Sequence, residues 1–186
     1  MDTDLVLRAQ RGDREAFGIL AAGIGERMRR VAYSILRDVH LAEDATQQAA
    51  LDMWRDLPQL RDPSRFDAWS YRILVRACHA EGRESRRWLS ASPSVFAPAL
   101  GDAFATVVDR DQLERAFRRL SIEQRAVVVL RHYVDLPLDA VAEALEIPTG
   151  TVNSRLHRAM DALRAELEAD SRPTETRPPM PQEAMR

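Results

Sequence analysis

Lysine is missing from this chain: all 27 basic residues are arginine. Set against 29 acidic residues they leave a formal net charge of -2. No bulk positive field therefore marks a nucleic-acid binder, and any DNA surface has to come from local segregation of charge. One cysteine, Cys78, excludes an intrachain disulfide framework and a cysteine-rich metal site. Inside an apolar helical pattern it reads as a small core residue. Glycine is scarce, at 7 residues, and β-branched runs are rare, so a sheet-built domain is not expected. No secretory leader opens the chain, and no apolar run approaches the roughly 20 residues of a membrane span. A cytoplasmic location is expected. There is no glycine-rich phosphate loop, and His40, His79, His132 and His157 lie far apart without a carboxylate at ligand spacing. Those absences argue against an enzyme, a metal, a cofactor or a small-molecule substrate. What is present is a chain of 186 residues, 45% apolar and 30% charged, with room for one domain or two small ones, all-α.

Residues 121–167 organise the rest. Ser121 followed by Gln124 is a capping-box start. Val127, Val128 and Leu130 give an apolar face until Asp135, Leu136 and Pro137 interrupt it. Leu138, Val141, Ala142 and Leu145 repeat at i, i+3, i+4, i+7, which predicts a short second helix. Residues 146–150, with Pro148 and Gly150, predict the turn. A last helix buries Val152, Leu156, Ala159 and Leu163 on one stripe. Its other face carries Thr151, Asn153, Ser154, Arg155, His157 and Arg158, all able to bond base edges or phosphates. A solvated face is the default for any amphipathic helix. This one is rich in hydroxyl and amide groups with arginine at helical spacing, where a solvated face usually mixes Glu and Arg. The layout is that of a DNA-reading helix-turn-helix.

Upstream, Asp4 to Gln10 predicts a short helix, and Asp13 caps a long amphipathic one that buries Phe17, Leu20, Ile24, Met28, Val31 and Ile35. The next helix, about residues 41–57, turns Leu41, Ala45, Ala49, Met53 and Leu57 inward. Its outer side shows Glu43, Asp44, Gln47, Gln48 and Asp52, either a solvated acidic face or a dock for a basic partner. A loop with Pro58 and Pro63 leads into a helix bearing Arg72, Arg76, Arg83, Arg86 and Arg87, a local charge of +3 against Glu81 and Glu84. Arginine interleaved with Phe66, Trp69 and Tyr71 suits single-stranded DNA, the rings stacking bases and the guanidiniums holding phosphates. Core packing of at least two of those rings is the competing expectation. Residues 91–101 read as a linker. A further helix, about residues 107–119, uses Leu113, Ala116, Phe117 and Leu120 to prop the helix-turn-helix. The proline-rich tail from Asp170 is expected to be disordered.

Two of these segments together resemble a known family. AEDATQQAALDMW with the arginine-rich block after it resembles region two of bacterial sigma-70-type factors. Residues 120–163, above all GTVNSRLHRA, resemble their region four. With no domain between them, the layout is similar to the small extracytoplasmic-function (ECF) group. The resemblance implies two small helical domains on a flexible linker: residues 1–88, a linker over 89–106, a helix-turn-helix domain over 107–168, and a tail over 169–186. It implies that core RNA polymerase meets Glu43, Asp44, Gln47 and Gln48. It also implies that melted minus-ten DNA meets Arg61, Arg65, Phe66, Trp69, Arg72 and Arg76, and that minus-thirty-five duplex meets the six residues from Thr151 to Arg158 named above. Promoter DNA, core polymerase and an anti-sigma factor are the implied partners. The chain departs from the family pattern at Ala50, Ala77, Glu81, Ala140 and Glu146, where the family has an aromatic, Asn, Asp, an acid and Gly.

Two alternatives stay open on sequence alone. A plain helix-turn-helix regulator would bind duplex DNA without polymerase, and a helical adaptor would use the acidic face and not need Arg155 or Arg158.

Overall fold

The computed structural model describes residues 2–91 and 107–170, and the expected linker core and tail lie outside them. Among the described residues the chain is helical, without a strand. The helices are α1 (Thr3–Gln10), α2 (Arg14–Leu36), α3 (Val39–Asp56), α4 (Phe66–Ala91), α5 (Val107–Arg119), α6 (Ile122–Val128), α7 (Leu138–Leu145) and α8 (Thr149–Asp170).

Short polar caps set the starts. Asp2, Asp13 and Asp38 each accept a backbone N–H at 3.0 Å, from Asp4, Ala16 and Leu41. Each satisfies one of the donors a helix start leaves orphaned. At α6, Ser121 Oγ accepts Gln124 N–H at 3.2 Å while Gln124 Oε1 accepts Ser121 N–H at 2.9 Å, the expected reciprocal box. α2 stops at Arg37, whose φ of 61° is left-handed and closes the helix through its N–H to the Tyr33 carbonyl.

The N-terminal lobe packs α2, α3 and α4 around Leu20, Met28, Ile35, Met53, Phe66 and Leu74, all at most 2% exposed. α3 faces this core with Ala42, Ala45 and Ala49, small enough to let its neighbours approach closely. In the C-terminal lobe α8 packs on α5, α6 and α7, with Ala116, Leu120, Val128, Ala159 and Leu163 between α5, α6 and α8. The two lobes also pack together: α4 against α7 and α2 against α6, in a hydrophobic cluster reaching from Val6 to Val152.

Three expectations are corrected. α4 runs to Ala91, so residues 89–91 are helical instead of linker. Leu113 is 45% exposed and does not prop the helix-turn-helix; Ala116 and Leu120 do. The helix that starts at Ser121, α6, continues past Val128. It passes through a π-helical stretch, Val129–Tyr133, closed by Val134 N–H on the Val129 carbonyl at 3.0 Å, before Asp135 turns at φ 64°. Finally, Thr149 and Gly150 belong to α8: the Pro148 carbonyl accepts Thr151 and Val152 N–H at 2.8 and 3.1 Å, so the turn is shorter than predicted.

Candidate nucleic-acid interface

α7 and α8 form the compact pair. α7 ends at Glu146, left-handed at φ 54°, and the chain re-enters a helix three residues later. Val152, Ala159 and Leu163 anchor α8 to its lobe, all at most 6% exposed. That burial fixes the rotation of the helix and leaves Asn153, Ser154, His157 and Arg158 exposed, one turn apart in pairs. Thr151 and Arg155 sit at the edge of this face, half-buried. The outward groups are held by short local contacts. Ser154 Oγ donates to the Thr151 carbonyl at 3.0 Å, and Arg158 Nε donates to the Ser154 carbonyl at 3.1 Å. His157 lies 3.4 Å from Asp161. No carboxylate among the described residues pairs with Arg158, so its guanidinium can turn to an incoming phosphate or guanine edge. Arg155 is one of the cations that act on His79 of the N-terminal lobe; burial first, then Arg83, Arg155 and Arg86, hold that imidazole below its ordinary pKa against the pull of Glu123.

The predicted single-strand surface is divided by the fold. Arg61, Arg65 and Arg76 are exposed, whereas Arg72 is half-buried with its Nε lacking a hydrogen-bond partner. Phe66 and Trp69 are 1% and 6% exposed, and Tyr71 is 5% exposed. The stacking role expected of Phe66 and Trp69 does not fit this arrangement. Their rings sit 5.8 Å apart at a 40° tilt in the root of α4, because rings of this size gain more by leaving water than by facing it. They hold up the arginine row; they do not extend it.

Glu43, Asp44, Gln47 and Gln48 are all exposed on one side of α3, directly opposite buried Ala42, Ala45 and Ala49. Leu51, one turn on from Gln47, is 65% exposed beside them. The outer side of α3 is thus an acidic and amide face with an apolar residue at its edge.

Contacts between the lobes carry no sequence signal. Arg65 pairs with Glu143, and Arg76 pairs with Glu146 through Nε–Oε2 at 3.0 Å and Nη2–Oε1 at 2.5 Å. Arg27 Nη2 donates to the Val134 carbonyl at 3.1 Å, and Arg37 pairs with Glu114. Arg37 and Glu146 are both non-glycine left-handed positions at helix C-caps, and that conformation does not name their partners. Among the described residues no group of three His, Cys, Asp or Glu could hold a metal ion, and no helix is long and apolar enough to cross a membrane.

An all-helical chain whose second lobe presents a polar, arginine-bearing helix over a short turn is a DNA-binding protein of the helix-turn-helix class. Residues 24–87 match the family described as Sigma-70 region 2, and residues 110–163 match Sigma-70, region 4. The chain is 32% identical to the ECF RNA polymerase sigma factor SigM of Mycobacterium tuberculosis strain H37Rv over 158 residues, 85% of this chain and 80% of the relative. With SigW of Bacillus subtilis strain 168, also an ECF RNA polymerase sigma factor, it shares 25% over 176 residues, 87% and 94% of the two chains. The structure of CnrH in complex with the cytosolic domain of CnrY superposes with a TM-score of 0.66 at 26% identity, covering 91% of this chain and 99% of that one. RpoE from Bartonella quintana, solved with the anti-sigma factor NepR, shares the fold at a TM-score of 0.69 and 24% identity, covering 83% and 98%. The chain belongs to the sigma-70 family, as an RNA polymerase sigma factor of the extracytoplasmic-function group.

Proposed function

We propose a division of labour within this sigma factor. The outer face of α8 reads minus-thirty-five duplex through Asn153, Ser154, His157 and Arg158, with Thr151 and Arg155 at its margin. Arg61, Arg65, Arg72 and Arg76 hold the parted strands at minus ten, on a base packed by Phe66 and Trp69. Glu43, Asp44, Gln47 and Gln48 dock on core polymerase. Residues 1–88 and 107–168 act as the two working units, with residues 89–106 joining them. The phosphodiester chemistry is the polymerase's, this chain contributing position and strand capture, and the work is done in the cytoplasm. The observation that carries the reading is the rotation of α8: burial of Val152, Ala159 and Leu163 turns the base-bonding side chains of one helix outward together.

Duplex anchoring precedes strand capture on energetic grounds. Unstacking costs on the order of a few kcal/mol per flipped base. A chain already anchored upstream meets that cost at high effective concentration. Near neutrality overall leaves the free protein with weak, salt-sensitive DNA binding, so polymerase contacts complete the affinity. CnrH was solved in complex with the cytosolic domain of CnrY, which supports a protein partner for this chain also, and we infer that this partner is an anti-sigma factor.

The test is sequencing of the transcripts made by core polymerase with and without this chain. New, discrete start sites are expected only in its presence. Tight footprinting of a duplex operator without polymerase, with unchanged start sites, would establish the plain regulator instead.

A further inference from the structure

The loop that carries Arg61 and Arg65 is fastened by a residue distant in sequence. We propose that Gln10, on α1, is the positioning residue of this loop. Its side-chain amide clasps two loop carbonyls and so fixes where Arg61 and Arg65 stand when the parted minus-ten strand arrives. Discrimination between minus-ten sequences then depends on a residue that acts on DNA only through its neighbours. The inference rests on the assignment of Arg61 and Arg65 to minus-ten DNA.

By itself the stretch from Leu57 to Arg65 is weakly specified. Its own hydrogen bonds are short-range. Leu60 N–H meets the Leu57 carbonyl and Arg65 N–H the Asp62 carbonyl, each at 3.1 Å, while Ser64 N–H and Oγ reach Asp62 Oδ1 at 2.9 and 2.6 Å. These bonds shape two single turns, Leu57–Gln59 and Pro63–Arg65, without setting where one lies relative to the other. Single turns do not hold themselves in water. Arg61, between the two, is exposed, as is Arg65. Gln10 supplies the missing long-range tie: its Nε2 donates to the Leu57 carbonyl at 3.1 Å and to the Leu60 carbonyl at 2.6 Å, across 47 and 50 residues. Both amide hydrogens are thereby used, one on each carbonyl. Leu57 is fully buried, so its carbonyl belongs to the packed end of α3, whereas Leu60 immediately precedes Arg61. One amide thus binds the start of the exposed stretch to the core.

The clasp has a rigid base. Val6 and Ala9 seat α1 in the core at 0% and 2% exposed. Gln10 stands in the last turn of that helix, which closes through Gly12 at φ 90°, its N–H on the Ala9 carbonyl at 3.0 Å. Asp13 Oδ2 braces the same corner by accepting Arg8 Nε and Nη2 at 3.0 and 2.8 Å. α1 also packs against both short turns. A flexible arm could not set the position of a loop; a helix end fastened in this way can.

The test is transcription by the reconstituted holoenzyme from a template pool in which the minus-ten element of a promoter mapped by transcript sequencing is randomised. The quantity read is the ratio of transcripts from preferred minus-ten sequences to transcripts from the rest, which does not depend on how much of the chain is folded. Gln10→Met keeps the length of the side chain and removes both donors; Gln10→Glu turns oxygens toward the carbonyls. Both are expected to lower the ratio roughly three- to tenfold, the scale of one or two ordinary hydrogen bonds. Both should also speed amide exchange across residues 57–65 in the free full chain. An unchanged ratio overturns the proposal, as does a ratio lowered by Gln10→Glu alone or lowered without faster exchange. Arg61→Ala/Arg65→Ala in the same pool separates the failures. If it leaves the ratio unchanged, the assignment of these arginines to minus-ten DNA has failed and the positioning role falls with it. If it lowers the ratio while the Gln10 variants do not, the clasp alone is wrong.

Discussion

Removing Arg158 from α8 isolates what the helix-turn-helix contributes. Arg158 is exposed, its Nε donates to the Ser154 carbonyl at 3.1 Å, and among the described residues no carboxylate pairs with its guanidinium to compete with DNA. Truncation therefore leaves no stranded charge, and the lobe itself, anchored by Val152, Ala159 and Leu163, should keep its stability to within about 0.5 kcal/mol. Two outcomes distinguish its role on DNA. If Arg158 reads a base edge bidentately, Arg158→Ala costs about 1–3 kcal/mol, roughly 5- to 150-fold in affinity, and relaxes preference at one position. If it grips a phosphate, binding weakens for all sequences alike and the slope of log K against log salt falls by about 0.9. The assay is fluorescence anisotropy of the holoenzyme on labelled duplex carrying the minus-thirty-five element, across a salt series. Arg164 supplies the control, since it lies about 9 Å further along the same helix and pairs with Asp161 at 3.1 Å. Equal binding by Arg158→Ala, Arg164→Ala and the parent chain would refute the assignment of this face to DNA.

Three further outcomes are expected. Reversing charge on the outer face of α3, Glu43→Arg/Asp44→Arg, should weaken assembly with core polymerase in competition against the parent chain and leave the melting temperature unchanged, because both side chains are exposed. Ser121→Ala breaks the capping box of α6 and should cost about 1 kcal/mol in denaturant unfolding, with Ser121→Gly costing only a few tenths. Cys78 is fully buried and burial pushes its thiol up to about 12 from near 9. Its protonated form is thus favoured by the fold: the stabilisation is whole below pH 9 and is lost as pH rises toward 12, at up to about 1.4 kcal/mol per pH unit. The native thiol should resist a disulfide reagent at pH 8 until denaturant is added, and Cys78→Ala should flatten the alkaline limb of the stability profile.

Local pattern made much of this protein legible. Asp13 and Ser121 start helices because a short oxygen-bearing side chain finds an orphaned N–H two or three residues on, a rule that needs no tertiary knowledge. The faces of α3 and α8 could be assigned because an inward stripe at helical spacing dictates what is left outside. The same logic gave out at Leu113. Its spacing suited an inward position, but the partner helices do not cover that part of α5. It gave out also at the elbow, where a single π turn shifts the hydrogen-bond register without any residue that announces it.

Sequence by itself therefore determined that this chain is all-helical, that a short helix and a turn precede its last helix, and which side of that last helix meets solvent, since each follows from neighbours within about four residues. Only the tertiary structure decided that Phe66 and Trp69 go into the core and that Arg65 and Arg76 meet Glu143 and Glu146, 78 and 70 residues away. An exposed arginine beside an aromatic has the same local pattern whether it waits for a phosphate or already holds a carboxylate. The choice lies in how two lobes pack, and helical periodicity carries no information about that.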